Sequence, residues 1–216
     1  MVVKGRPRDE AARERIVSAA GELFIRDGYV ATTIGAIAEQ AQVAIKTIYA
    51  AYGNKLGVLS AAHDRAVLGD GGPTPLLQHA WVRALADAES VEVAWAQAAD
   101  RLAESTARAA PTMAAIHAAA ADPGVTELLA DLRRQRHAFS LGLARILLDL
   151  PGARPGVTGR VADVIYATMT AESYALFVIE RGWRLDQWRD WAHSAVAREL
   201  TTAPGLQPDL PTQRTR

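Results

Sequence analysis

The sequence of 216 residues contains no cysteine. That excludes a disulfide framework, thiolate metal sites and a cysteine nucleophile. Missing too is any apolar run long enough to span a bilayer. The first residues are basic and polar and lack the apolar centre of a secretory signal, so a cytoplasmic protein is expected, with no membrane partner. Neither sign of charge is in excess, with 24 Lys and Arg against 24 Asp and Glu. The whole molecule is therefore not a generic polyanion binder. Catalytic signatures are absent as well. None of the five histidines (His63, His79, His117, His137 and His193) falls in an HExxH pair, and no Glu precedes a His by three positions as a di-iron bundle requires. There is no Gly-x-Ser-x-Gly elbow. The stretch densest in Gly and Pro, residues 69–75, lacks the Gly-Lys-Ser/Thr that a phosphate loop needs. No enzyme, metal or cofactor is expected. With 50% apolar residues, the chain can bury one compact domain or a small domain joined to a larger one.

What is present is helical periodicity nearly throughout. Residues 1–8, with Lys4, Arg6 and Arg8 and no acid, read as a flexible basic arm. Lys4-Gly5-Arg6-Pro7-Arg8 suits an extended minor-groove hook, or only general phosphate attraction. A first helix is expected over 9–27, with Ile16, Ala19, Ala20, Leu23 and Phe24 as its packing face and Gly28 as its end. Arg13 and Arg15 suit a solvated face. The stretch 32–55, TTIGAIAEQAQVAIKTIYAAYGNK, then reads as two short helices, about 34–40 and 44–51, joined by a tight turn. A Thr at its start is a natural N-cap. Ile34, Ile37 and Ala38 face inward, Val43 plugs the turn, and Ile48 and Tyr52 continue the apolar face. Helices this short are marginal alone and must pack on the helix before them. This is the form of a helix-turn-helix, whose second helix enters a DNA major groove. Its outward positions are Ala44, Ile45, Lys46, Thr47 and Ala50. Lys46 can reach phosphate or guanine acceptors, Thr47 can bond a base or phosphate, and Ala44 and Ile45 can touch thymine methyls. Residues 1–60 carry eight Lys and Arg against six Asp and Glu, an asymmetry too mild to identify a DNA binder alone.

The ordered set Leu23-Phe24, Gly28-Tyr29, Ala31-Thr32-Thr33, Ile37-Ala38, Ala41, Val43, Lys46-Thr47-Ile48-Tyr49 and Lys55 resembles the DNA-binding domain of TetR-type transcriptional regulators. The resemblance runs from about Ile16 to Leu59. Two positions depart from it. Gln42 stands where the family usually has Gly, and Ala44 where it usually has a capping Ser or Thr. A left-handed Gln costs about 1–2 kcal/mol and a lost cap about 1 kcal/mol, so the motif is expected to form with an adjusted turn. The resemblance implies phosphate contacts for Thr33, Tyr49 and Lys55. Tyr49 has a ring to bury and a hydroxyl to project, and Lys55 sits near the next helix start.

That next helix is expected over 55–68, linking a head of residues 9–60 to a body of residues 61–200. In the body, punctuation falls at Glu89-Ser90, Pro111, Asp122-Pro123-Gly124 and Pro151 to Gly156. Long helices are expected over 125–150 and 157–181, a last one over 186–200, and a disordered tail over 201–216. The two long helices resemble the family's dimer interface, though they could be plain monomer core. Trp81, Trp95, Met113, His117, Tyr166, Met169, Glu172, Tyr174 and Phe177 are candidates to line a cavity, although such residues are more often core. Asp163 and Glu180 suit the solvent side, the commoner place for Glu172 too. The expected fold is all-α, a three-helix DNA-binding head on a helical ligand-binding and dimerisation body. The expected function is a ligand-responsive regulator binding operator DNA as a homodimer, most commonly a repressor in this family, with an unidentified small-molecule effector. The alternatives are a constitutive DNA-binding protein with a solid body, or a helical-bundle enzyme using the head for docking.

Overall fold

The computed structural model describes residues 6–69 and 75–201, and among them ten α-helices follow one another with no strand. The first, α1, spans Arg6–Ala31. It starts three residues earlier than expected, so the backbone of Arg6 and Arg8 is helical where a minor-groove hook would be extended. Lys4 lies outside the described residues, as do 70–74 in the Gly/Pro stretch and 202–216 in the tail. Gly28, at φ 81° and ψ 165°, interrupts α1 where the sequence placed its end. Thr32 then locks the joint, its hydroxyl lying 2.8 Å from the Gly28 carbonyl and 3.2 Å from that of Leu23.

The helix-turn-helix follows as α2, Ile34–Ala41, and α3, Ile45–Tyr52. Gln42 takes the left-handed conformation (φ 54°, ψ 49°), and the Val43 N–H closes back on the Ala38 carbonyl at 3.0 Å. This is the closure a Gly usually makes at a helix end. Arg15 lies on the exposed face expected for it and from there caps α2, with Nε 3.1 Å from the Ala41 carbonyl. Ala44 supplies no side-chain cap to α3. Helix α4, Lys55–Leu68, begins at once behind an Asn54 cap. The junction is so close that a Cβ on Gly57 would stand 2.1 Å from the Tyr52 carbonyl oxygen.

The body comprises α5 (Ala80–Ala84), α6 (Val91–Ala118), α7 (Pro123–Leu148), α8 (Thr158–Thr168), α9 (Ala171–Tyr174) and α10 (Leu185–Thr201). Two expectations fail here. Pro111 does not break α6, because its ring faces solvent and the helix runs on through it. The single helix expected over 157–181 is broken at Met169. Thr170 is extended there and caps Ser173, and the Ser173 hydroxyl takes the indole N–H of Trp188 at 2.9 Å. Beyond α9 the chain widens into a π-helix over Ala175–Glu180.

Two cores result. One joins Ile16, Phe24, Ile37 and Ile48 of the head to Val58 and Leu59 of α4, then to Ile116 of α6 and Val125 of α7. The boundary drawn at residue 60 thus runs through a helix that both halves share. The other core lies at the far end, where Trp95, Leu143, Leu147, Val161, Trp188 and Val196 are fully buried. Each such side chain contributes roughly 1.5–3 kcal/mol of burial, which is what holds helices as short as α2 and α3 in place. No helix among the described residues is long and apolar enough to cross a membrane.

Candidate nucleic-acid interface and ligand cavity

Helix α3 presents a face that packing does not use. Ile48 is fully buried, so the side chains turned away from it (Ala44, Ile45, Lys46, Ala50) are exposed and Thr47 is half-buried. Tyr49 is 51% exposed, too open for a core-edge aromatic. The Thr33 oxygen accepts from the Ala36 N–H at 3.1 Å and caps α2, which leaves its hydroxyl proton for another acceptor. Lys55 departs from expectation. Its ammonium lies 2.8 Å from the Tyr29 carbonyl, 3.1 Å from that of Thr32 and 3.4 Å from that of Val30, with the Tyr29 ring centroid at 4.3 Å. An ammonium has three protons, and three carbonyls take them. Lys55 clamps the end of α1 and has no donor left for a phosphate.

A cavity of about 900 Å³ opens between head and body, walled by α1, α4, α6, α7 and the α8–α9 break, with Tyr52 from α3 at its edge. Tyr52 donates from its hydroxyl to the Arg13 carbonyl at 3.3 Å, and Arg65 of α4 pairs with Glu14 of α1 at 2.6 Å. Inside, Leu102, Met113, Leu129, Phe139, Ile165 and Met169 give an apolar wall. At the polar end, Arg136 reaches Glu172 at 2.8 Å and lies over the Tyr166 ring, while His117 stands 3.7 Å from the same carboxylate. Burial draws Glu172 upward, but its own backbone N–H, Arg136 and His117 outweigh that and hold its carboxyl below the usual range. The Nε–H of Arg136 is buried without an acceptor. His63 of α4 is buried, and its Nδ1 lies 3.0 Å from the Thr112 hydroxyl on α6. Burial lowers its pKa to about 4, against the pull of Glu172 and with the help of Arg136 and His117. No group of His, Asp or Glu among the described residues could hold a metal ion.

The sequence profile of bacterial regulatory proteins of the tetR family matches residues 16–62, from the buried start of α1 to the middle of α4. Residues 16–62 match the DNA-binding head of the tetR family. The match takes in the helix-turn-helix of α2 and α3 together with the helices on either side of it. The uncharacterized HTH-type transcriptional regulator YdeS of Bacillus subtilis (strain 168) is 43% identical over 74 residues, 32% of this chain and only 37% of the length of YdeS. SmeT in its triclosan complex superposes with a TM-score of 0.66 at 22% identity, covering 93% of this chain and 96% of SmeT. NalD, the secondary repressor of the MexAB-OprM multidrug efflux pump in Pseudomonas aeruginosa, gives 0.63 at 15% identity over 92% of this chain and all of its own (100%). Identities this low establish a shared fold for head and body.

The cavity gathers Met113, His117, Met169 and Glu172 of the nine candidate pocket residues. The other five are placed elsewhere. Trp95 is fully buried in the far core and donates to the His193 carbonyl. Trp81 lies beneath Arg101, Tyr174 meets Trp188 edge-on, and Phe177 packs between Trp183 and Trp191. Tyr166 sits behind Arg136, outside the cavity wall. The reading missed His63, Arg136 and Thr112. For His63 a signal existed, since it follows Leu59 and Ala62 on the buried stripe of α4. Arg136 sits in the polar run Arg133-Arg134-Gln135-Arg136-His137, which gave none.

Proposed function

We propose that this chain is a cytoplasmic, ligand-responsive repressor that binds a two-fold operator as a homodimer and releases it when a small molecule fills the cavity. The observation that carries this reading is the position of the cavity. Its wall includes Arg13, Glu14 and Val17 of the head and His63 of α4, so an occupant touches the head and the helix that bears it. A body that was solid core, as a constitutive binder would have, leaves no such space. An occupant shifts the balance only by binding the non-operator arrangement more tightly than the operator-bound one. SmeT, whose solved complex holds triclosan, and NalD, a repressor, support both halves of the reading by likeness of fold.

On DNA, Ala44, Ile45, Lys46 and Thr47 meet base edges, while Thr33 and Tyr49 meet phosphates. Lys4, Arg6 and Arg8 add cationic charge near the backbone. The second copy seats on the late helices, where Leu176 and Ile179 are 47% and 68% exposed. Such side chains at the surface of the body suit an isologous interface.

Selection from a pool of random duplexes tests the proposal. The expected product is a two-fold symmetric site with half-site centres roughly 34–36 Å apart or a multiple of that. Tyr49→Phe then weakens binding to all sequences, and Lys46→Ala or Thr47→Ala changes which sequence is preferred. Absence of enrichment at low salt removes the operator reading. Enrichment without two-fold symmetry removes the dimer.

A further inference from the structure

We propose that the cavity is built for a neutral phenol, a molecule with an apolar, ring-bearing body and one hydroxyl that donates to Nε2 of His63. This rests on reading the cavity as the effector site. The argument begins at Thr112, whose hydroxyl donates to the Ala109 carbonyl at 2.9 Å. Its single proton being spent there, the same oxygen accepts from His63, which fixes the imidazole proton on Nδ1. Nε2 then carries a lone pair. It has no partner among the described residues, and the ring lines the cavity. An acceptor on the cavity wall with nothing to accept calls for an O–H or N–H from the occupant. Burial keeps the ring neutral near physiological pH, so it does not turn into a donor there.

Charge narrows the class further. Glu172 is already engaged by Arg136 and approached by His117, so it offers no free carboxylate to a cation. Around the whole wall the arginines and the carboxylates are equal in number, four of each, so no anion finds an unbalanced field. A hydroxyl suits this wall. Its proton goes to His63, and its oxygen remains an acceptor in a cavity that the Arg136 guanidinium also lines. The thioethers of Met113 and Met169 and the ring of Phe139 favour an aromatic body over an aliphatic one. A phenol also stays protonated to about pH 10, as tyrosine does.

The test is isothermal titration of the full chain near neutral pH with para-phenylphenol, with its methyl ether para-phenylanisole, and with para-phenylbenzoate. The expected result is binding of the phenol about tenfold tighter than the ether, with the benzoate weakest. His63→Leu removes the preference for the hydroxyl, so that phenol and ether bind alike. Thr112→Val, which keeps the imidazole but frees its tautomer, narrows the preference. Equal affinities for phenol and ether on the unaltered chain overturn the proposal without recourse to any variant. So do a preference for the benzoate, a hydroxyl preference that survives His63→Leu, and failure of all the probes to bind. Adding the probes to the operator complex separates the two readings. Hydroxyl-selective binding that leaves the operator bound keeps the phenol site and removes the effector role. Operator release without hydroxyl selectivity does the reverse.

Discussion

Lys55 shows how a side chain in the right place can do a different job. It stands at the first position of α4, as expected, and holds three carbonyls at the end of α1 instead of a phosphate. Those carbonyls belong to residues more than twenty positions earlier, and no local pattern announces them. Lys55→Ala is therefore expected to lower the stability of the fold by about 2 kcal/mol, the scale of charge-assisted hydrogen bonds that are partly exposed. Urea unfolding reads the loss. Under conditions where the variant is folded, the salt dependence of its DNA binding matches that of the unaltered chain, and a slope reduced by about one would restore the phosphate contact. Arg15 carries the same lesson, since its cap on the Ala41 carbonyl joins residues that only the folded head brings together. Tyr49 and Lys46, by contrast, were legible, because Ile48 between them had to point inward and leave them outside.

Elements whose boundaries are set by local chemistry were read to within a residue or two. Helices α2, α3 and α4 begin and end where cap, turn and Asn54 dictate. The departure at Gln42 was legible as well, and its left-handed backbone is the only positive φ outside Gly among the described residues. Gln42→Gly relieves about 1–2 kcal/mol of backbone strain. It also loosens the unfolded chain by about 0.4–1 kcal/mol. The net expectation is a gain of about 0.5–1 kcal/mol in thermal or urea unfolding, with α2 and α3 unchanged. A loss of stability would mean that the Gln42 side chain itself supports the turn. The break at Met169 was not legible, because it depends on Trp188, which reaches Ser173 from another helix. Pro111 misled for the opposite reason. A proline predicts a stop because it lacks an N–H and crowds the preceding turn, but the buried Ala109, Ala110, Thr112 and Met113 around it hold α6 through that local cost.

At the scale of the molecule, His63 ties stability to pH. The unfolded chain holds an ordinary imidazole near pH 6.5, whereas folding lowers His63 to about 4. Between those values the unfolded state binds the extra proton, so stability rises with pH. The contribution is fully present above about pH 6.5 and is lost as the pH falls toward 4, amounting to on the order of 3 kcal/mol at most. His63→Gln should flatten that part of the curve of unfolding free energy against pH. An equally steep curve in the variant would assign the loss to other groups. The overall plan of head, link and helical body was legible because apolar spacing and punctuation carry it. The cavity was not, because it is made of what helices from both head and body leave unfilled, and aromatic residues that looked like its lining are spent on the far core.

The tryptophans are divided as sharply as the two cores. Trp81, Trp95, Trp183, Trp188 and Trp191 all belong to the body, and the head carries only Phe24, Tyr29, Tyr49 and Tyr52 as aromatic residues. Indole emission therefore watches one end of the molecule and is blind to the other, while far-ultraviolet ellipticity sees every helix. Because α6 and α7 run through both cores, the two signals are expected to share one midpoint on heating. Ellipticity lost ahead of emission would show the reading head coming loose while the body that carries it is still intact.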